Sequence, residues 1–158
     1  MRTQSKLFVT AFLLFCFLAP LLKSQTCDDN LVFQIEKIKQ EIETSLVSAT
    51  TTEAKLESGE RLLAFYKDGS LIKISVDLYD YDGPQFSTEL FFRDGFVKLV
   101  VEEYIKSRKI CKDCYYFADD KLVCYKDVKS DEYKPSDKYA KAEKKWLKKV
   151  EKYLEAIQ

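Results

Sequence analysis

Residues 66–72 read Tyr66-Lys67-Asp68-Gly69-Ser70-Leu71-Ile72, and the pattern returns as Phe92-Arg93-Asp94-Gly95-Phe96-Val97 and as Phe117-Ala118-Asp119-Asp120-Lys121-Leu122-Val123. Each copy has an aromatic residue, one further residue, Asp, then Gly or Asp, and a run rich in apolar residues. The Asp residues lie 26 and 25 residues apart. Asp-Gly between apolar runs indicates a tight hairpin turn, because Gly accepts the positive φ that such a turn needs. Three hairpins in series predict an antiparallel sheet of about six strands.

Alternating side chains in these hairpins predict one apolar face of the sheet. In the first hairpin, a three-residue loop at 67–69 would pair Tyr66 with Ser70 and direct even-numbered residues to the core. In the second hairpin we expect a two-residue turn at 94–95, because a longer loop would bury Lys98. The predicted core face comprises Leu62, Ala64, Tyr66, Ile72, Ile74, Val76, Leu78, Leu90, Phe92, Val97, Leu99, Val101, Tyr115, Phe117, Val123 and Tyr125.

An amphipathic helix is predicted at each end of the domain. Acidic residues suited to an N-cap precede an apolar stripe between residues 28 and about 48, and Ser136 can cap a second helix that runs to about Ile157. Residues 49–59 are predicted to form a loop. The stripes are Leu31, Ile35, Ile38, Ile42 and Leu46, then Tyr139, Ala142, Trp146, Val150, Tyr153 and Ile157. The predicted fold class is α+β, an antiparallel β-meander flanked by the two helices.

The first 24 residues have the composition of a secretory signal peptide. Arg2 and Lys6 precede an apolar run from Leu7 to Ala19, and Ser24 offers a small residue at the cleavage site. The run is shorter than the roughly 20 apolar residues that a membrane-spanning helix needs. We therefore expect residues 1–24 to be removed, residues 25–158 to form one domain, and the product to be secreted or periplasmic.

Charge and composition exclude several classes of function. The removed segment carries Arg2, Lys6 and Lys23 and no acid, which leaves 23 basic and 26 acidic residues and a net charge of −3. This balance does not indicate a nucleic-acid partner. The chain has no histidine, so it lacks the usual general base and the commonest zinc ligand. Without a recognisable catalytic motif, the sequence predicts a protein that is not an enzyme and uses no cofactor and no metal.

Four cysteines remain after removal of the signal peptide. In an oxidising compartment they predict two disulfides. A three-residue loop at 118–120 would place Cys114 opposite Cys124, which leaves Cys27 to pair with Cys111. Three other roles of these cysteines stay open: a redox Cys-x-x-Cys motif at 111–114, a four-cysteine zinc site, and a lipidated Cys27.

An aromatic and aliphatic column is predicted on the sheet face opposite the core. The same registers bring together one aromatic–aliphatic pair from each hairpin, namely Phe65 with Leu71, Phe91 with Phe96, and Tyr116 with Leu122. Such a column is either covered by a helix of the same chain or is an exposed surface that binds a partner. We predict these six residues as the candidate partner-binding residues, on the hypothesis that both helices pack on the core face.

The last helix is rich in lysine, with seven lysines and four acids between Asp137 and Glu155. A basic amphipathic helix can lie on an anionic membrane surface. More often such lysines form a solvated face, and contact with a membrane surface is therefore the less favoured interpretation.

The hairpin motifs resemble those of a loose group of uncharacterised bacterial exported proteins. In that group, hairpins carry a Tyr-Tyr-Phe-x-Asp-Gly-Lys-Leu-Ile-like motif and a charged helix closes the chain. The matching segments are 65–72, 90–95 and 115–123. The chain is also distantly similar to proteins with MORN-type repeats. The resemblance implies the fold and an exported location, and it supplies no catalytic residue.

These observations predict an exported, non-enzymatic module that binds a protein or ligand of unknown identity on the sheet. The alternative is an envelope-associated structural or accessory protein that contacts the membrane through its basic C-terminal helix.

Overall fold

An antiparallel sheet of eight strands is the centre of the fold, and its spatial order follows the order of the strands in the sequence. The computed structural model describes residues 27–80, 83–129, 131–134 and 136–158. The predicted signal peptide lies outside these residues. The strands are β1 Thr50–Lys55, β2 Arg61–Lys67, β3 Ser70–Asp80, β4 Gly83–Arg93, β5 Phe96–Lys106, β6 Lys109–Ala118, β7 Lys121–Asp127 and β8 Glu132–Tyr133.

Two α-helices complete the α+β fold. Helix α1 spans Asp29–Ser45 and is followed by a short 3₁₀ turn at Leu46–Ser48. Its N-cap is Asp28, whose carboxylate accepts hydrogen bonds from the backbone N–H groups of Asn30 and Leu31. Helix α2 spans Tyr139–Ala156 after a 3₁₀ turn at Ser136–Lys138. The prediction of an antiparallel meander with a helix at each end is confirmed.

Each repeat forms a hairpin with a two-residue turn. Asp68 and Gly69 have φ of 52° and 78°, Asp94 and Gly95 have 57° and 80°, and Asp119 and Asp120 have 49° and 58°. Two consecutive positive φ values match the twist of the flanking strands, so they favour tight antiparallel pairing. The turn at 94–95 was predicted with this length. The three-residue loops predicted for the other two hairpins are wrong, because Lys67 pairs with Ser70 and Ala118 with Lys121.

A β-bulge follows each of these turns, two residue pairs into the hairpin. The register shifts between Phe65 and Tyr66, between Phe91 and Phe92, and between Tyr116 and Phe117. The second strand of each hairpin therefore contains one residue that has no pairing partner on the first strand, namely Ile72, Lys98 and Val123. An extra residue reverses the facing of every side chain beyond it.

The bulges correct the predicted core face. Ile72, Leu99, Val101 and Val123 were predicted to face the same side as Ile74 and Val76, and they instead lie in the opposite apolar cluster. The prediction assumed unbroken alternation after each turn. Val100 and Leu122 take the places on the first face that were assigned to Leu99 and Val123.

Two strands were not predicted. Residues 50–55 form β1, which pairs with β2, and residues 132–133 form the short edge strand β8 beside β7. The sheet thus has eight strands where about six were expected. The side chains of β1 are largely exposed, so no apolar alternation marks it in the sequence. Its three threonines favour a strand, whereas residues 49–59 were predicted as a loop.

Each face of the sheet is covered by one helix. Helix α1 contributes Ile35 and Ile42 to the cluster that contains Phe91, Leu99 and Tyr116. Helix α2 contributes its buried stripe to the larger cluster on the other face: Tyr139, Trp146, Val150 and Tyr153. Both predicted stripes are confirmed. Neither helix in the described part of the chain is long and apolar enough to cross a membrane.

The turn glycines provide a test of the hairpin geometry. Gly95 has φ of 80°, and a Cβ added there would meet no atom within 4 Å. Replacement by alanine therefore acts through backbone strain alone, and we expect Gly95→Ala to lower the free energy of unfolding by about 1–2 kcal/mol. Gly95→Asn should cost less, because asparagine tolerates the left-handed conformation. Urea denaturation measures both variants, and equal losses would contradict the assigned turn.

Candidate binding groove

The six residues predicted as a partner-binding column do not share one surface. Phe65, Phe91 and Tyr116 precede the bulges and face α1. Leu71 and Leu122 lie on the α2 face, Leu71 partly buried and Leu122 buried. Phe96 is 45 % exposed at the start of β5. The two-residue turns separate the members of two predicted pairs, because they pair Leu71 with Tyr66 and Leu122 with Phe117 and so place each leucine on the face opposite its predicted aromatic partner.

Helix α1 covers the aromatic half of the predicted column. Phe91 and Tyr116 are buried, and the hydroxyl of Tyr116 donates a hydrogen bond to Glu36 Oε1 at 2.7 Å. The Nζ atom of Lys39 lies 5.9 Å from the centroid of the Phe91 ring. The prediction that Phe91, Tyr116 and Leu122 form an open binding surface is therefore wrong, since a helix covers each face of the sheet.

The remaining aromatic residue of the predicted column, Phe65, lies beside a buried lysine. Lys73 lies 6.0 Å from the Phe65 ring centroid and 5.1 Å from the Phe91 ring centroid, and its ammonium pairs with Glu89. Cation–π contact and an ion pair offset the cost of burying this ammonium. Phe65 thus lies beside the buried ammonium of Lys73.

An open groove of about 860 Å³ runs along the edge of α2 that faces the repeat turns. It lies between that helix, the β4–β5 turn and the β6–β7 turn. Its direction follows that of α2, which two hydrogen bonds hold across the strands. Glu143 accepts a hydrogen bond from the backbone N–H of Leu122, and the Tyr153 hydroxyl donates one to Glu60, the residue before β2. The lining residues are Gly95, Phe96, Val97, Asp120, Glu143, Lys144, Leu147, Lys148, Val150, Glu151, Leu154, Glu155 and Gln158.

The groove combines an apolar floor with a mainly acidic rim. Its apolar lining residues are Phe96 and Val97 of β5 and Leu147, Val150 and Leu154 of α2. Four carboxylates and two ammonium groups line the rim: Asp120, Glu143, Glu151, Glu155, Lys144 and Lys148. An apolar surface edged by fixed negative charge is suited to an apolar side chain that is accompanied by a cation.

A second hollow of about 330 Å³ adjoins the groove at Gly95. It is lined by residues of the β2–β3 and β4–β5 hairpins, and Leu71 is among them. Two of the six predicted binding residues, Leu71 and Phe96, therefore lie at this end of the sheet. The contribution of α2 was missed, although Leu147 and Leu154 stand one position after the buried residues Trp146 and Tyr153 and so widen the apolar stripe.

A cluster of tyrosines surrounds a buried carboxylate on the α2 face. Asp113 is 5 % exposed, and its Oδ2 atom accepts hydrogen bonds from the hydroxyls of Tyr125 at 3.0 Å, Tyr104 at 3.3 Å and Tyr115 at 3.5 Å. The Tyr115 hydroxyl also lies 3.2 Å from Glu102 Oε2. The rings of Tyr115 and Tyr125 stack with centroids 4.5 Å apart. The cluster thus encloses the carboxylate in hydroxyl groups beside the core.

Burial raises the pKa of Asp113 above its ordinary value of 3.8, and the hydrogen bonds from Tyr125 and Tyr104 oppose this shift. A carboxyl group with a raised folded-state pKa stabilises the fold below its unfolded pKa, and this contribution is lost as the pH rises through the folded value. Asp113→Asn cannot ionise. Relative to wild type, its free energy of unfolding should therefore rise as the pH increases from the ordinary pKa of 3.8 through the higher pKa of the buried carboxyl group, and then level off. Urea titrations across this range measure the difference, and a difference that stays constant would contradict the pKa direction.

The basic edge of α2 is engaged with the sheet. Lys145 pairs with Glu102 at 3.1 Å, and Lys152 pairs with Glu60 at 3.1 Å. The half-buried Lys149 lies 4.8 Å from the Trp146 ring centroid, and burial lowers its pKa. Because the apolar stripe of α2 is packed on the sheet and these lysines have partners, this helix does not present a free amphipathic face.

The disulfide pattern differs from both predicted pairs. Cys27 is bonded to Cys124, whereas Cys111 and Cys114 are free thiols. The two-residue turn and the bulge place Tyr116, and not Cys114, opposite Cys124. Burial raises the pKa of the Cys114 thiol to about 11, which keeps it protonated near neutral pH. No group of three or more Cys, Asp or Glu residues in the described ranges is arranged to hold a metal ion.

Comparison of the chain with models of protein families, with curated proteins and with solved structures found no match.

Proposed function

We propose that the chain is an exported, non-enzymatic module that binds a segment of another protein in the groove between α2 and the repeat turns. The segment is expected to carry an aromatic or long aliphatic side chain next to Lys or Arg. The apolar side chain would pack against Phe96, Leu147 and Leu154, and the cation would pair with the carboxylates of the rim.

The partial exposure of Phe96 is the observation that carries this proposal. Phe96 is 45 % exposed at the start of β5 and lines the groove together with two half-buried leucines, so it leaves apolar area that a partner can cover. It directly follows Gly95, the residue that lines both the groove and the adjoining hollow. Aromatic residues at the centre of an interface carry a large share of binding energy.

Three features support export or a role without catalysis. The Cys27–Cys124 disulfide is typical of an oxidising compartment, in agreement with the predicted signal peptide. The carboxyl group with a raised pKa, Asp113, is surrounded by tyrosine hydroxyls and does not line the groove. The sequence offers no histidine as a general base.

Selection of displayed random peptides on the oxidised protein tests the proposal. We expect the enriched peptides to share an aromatic or aliphatic residue beside Lys or Arg. Phe96→Ser should weaken their binding about tenfold or more, because it removes the apolar anchor. A double variant, Glu151→Lys with Glu155→Lys, should also weaken binding and shift the preference toward acidic peptides.

Phe33→Ser is the matched control, because Phe33 is 70 % exposed on α1 and lies outside the groove. Peptide binding should be unchanged in this variant, and thermal unfolding confirms that all variants are folded. Peptides that bind Phe96→Ser as tightly as wild type, or a selection that enriches no common chemistry, would overturn the proposal.

A further inference from the structure

The tip of the β5–β6 hairpin combines exposed isoleucines with unpaired cations. Residues 105–110 are all exposed, a run of six at the end of two long paired strands. Ile105 and Ile110 pair directly across the ribbon, so their side chains lie on the same face, and they are 61 % and 73 % exposed. The hairpin tip, defined here as residues 105–110, thus presents one compact apolar pair.

Three of the four residues between these isoleucines are cations. Lys106 pairs with Lys109 across the strands, and Arg108 occupies the turn. Like charges directly opposite each other destabilise a sheet locally. The ion pairs found among the described residues do not include Lys106, Arg108 or Lys109, whereas Lys112 further along β6 is neutralised by Glu103 at 2.6 Å. The positive charge of the tip is therefore available to an anionic partner.

The turn itself is locally unfavourable. Ser107 and Arg108 both have positive φ, 52° and 61°, without the Gly or Asn that such a turn prefers. The repeat turns at 68–69 and 94–95 use Gly at the second position. The chain therefore holds an arginine in a left-handed conformation at a point where only exposed residues surround it.

We propose that the β5–β6 hairpin tip docks on an anionic lipid surface. The isoleucine pair enters the boundary between headgroups and acyl chains, and Lys106, Arg108 and Lys109 pair with lipid phosphates. A membrane surface fits these residues better than a protein groove does, because the apolar pair on one face of the ribbon and the cations on its other face and in its turn match a partner that is apolar below a layer of negative charge. The proposal differs from docking through α2, whose apolar stripe is buried against the sheet.

Co-sedimentation of the full oxidised protein with lipid vesicles tests this. We expect binding to vesicles of phosphatidylcholine mixed with phosphatidylglycerol and little binding to phosphatidylcholine alone, with a marked decrease at high salt. The double variant Ile105→Ser and Ile110→Ser should lower the partition coefficient about tenfold or more. Loss of one cation, as in Lys109→Gln, should lower it about fivefold. Both isoleucines are exposed, so the serine variant is expected to fold.

The double variant Lys138→Gln and Lys141→Gln, at exposed lysines near the start of α2 and outside the groove, is the control for the basic helix and should bind as wild type does. A tryptophan at the tip, Ile110→Trp, should shift its emission to the blue and be quenched by brominated lipid, whereas Trp146, the one tryptophan of the natural chain, is buried. Absence of binding to anionic vesicles, loss of binding only in the α2 variant, or binding of an acidic peptide with no binding of vesicles would each overturn the proposal.

Discussion

Replacement of Trp146 by alanine is expected to lower the free energy of unfolding by about 3–5 kcal/mol, because it empties a large site in the core. Trp146 is fully buried at the middle of α2, and its ring centroid lies 5.3 Å from that of Tyr115 on β6. It therefore joins the helix to the sheet. A domain of this size has a total stability of about 5–15 kcal/mol, so the variant is expected to be partly unfolded at moderate temperature.

Trp146→Phe is the informative comparison. The indole Nε1 atom of Trp146 is buried without a hydrogen-bond partner. Phenylalanine removes this unsatisfied donor and keeps most of the apolar area, so its loss should be much smaller than that of alanine. Denaturant unfolding followed by circular dichroism measures both variants, and Phe33→Ala on the exposed face of α1 should change stability by less than about 0.5 kcal/mol. A loss below about 1 kcal/mol for Trp146→Ala would contradict the packing of α2 described above.

Removal of the Cys27–Cys124 disulfide has the second large effect. The bond joins residues 97 apart in sequence, and in the chain-entropy model a closed loop of this length contributes about 4–5 kcal/mol. We expect Cys27→Ala to lower the free energy of unfolding by about this amount, and reduction of the wild-type protein to have a similar effect. Cys27 is only half-buried, so lost packing adds little in this variant.

Cys111→Ser is the control, because Cys111 is a half-exposed free thiol. Its stability should lie within about 0.5 kcal/mol of wild type. Peptide mapping without reduction should recover a linked pair that contains Cys27 and Cys124. Recovery of Cys27 with Cys111, or of Cys114 with Cys124, would contradict the structure and restore the pairing predicted from the sequence.

The sequence predicts the chain reversals and the helices well, for physical reasons. Asp68 and Asp94 each precede a glycine that accepts positive φ, and Asp119 precedes another Asp, so all three mark turns. The stripe of α2 is recognisable because one face of the helix is buried and the other is solvated. In both cases the local pattern contains the information that decides the structure.

The face of the sheet to which side chains point after each turn could not be predicted in the same way. Each face of the sheet is covered by a helix, so both sides of a central strand are apolar. In β5, Leu99, Val100 and Val101 are consecutive buried residues. Alternation then no longer shows where an extra residue has been inserted, and a bulge is invisible in the sequence. The error in the disulfide pairing follows from the two-residue turn together with the undetected bulge, and the error in the binding column follows from the turn length.

The hairpin tip was overlooked for a different reason. Ile105 and Ile110 are separated by four polar or charged residues in the sequence, and only the pairing of Lys106 with Lys109 shows that β5 and β6 continue through this segment. The contribution of α2 to the binding groove was missed because Leu147 and Leu154 belong to the margin of the buried stripe. Whether a residue at the edge of a helix stripe is buried depends on the position of the neighbouring strands and turns, and the sequence of the helix alone does not give that position.

The bulge that accompanies each turn also makes every hairpin a self-contained building block. Tyr66, Phe92 and Phe117 all face α2 although the blocks differ in length, 26 residues in one case and 25 in the next. In each block the bulge sets which side chains point to the α1 face and which to the α2 face, and each block pairs only with its neighbours along the chain. Duplication or loss of one block would therefore change the number of strands in the sheet without changing which residues of the other blocks face each helix.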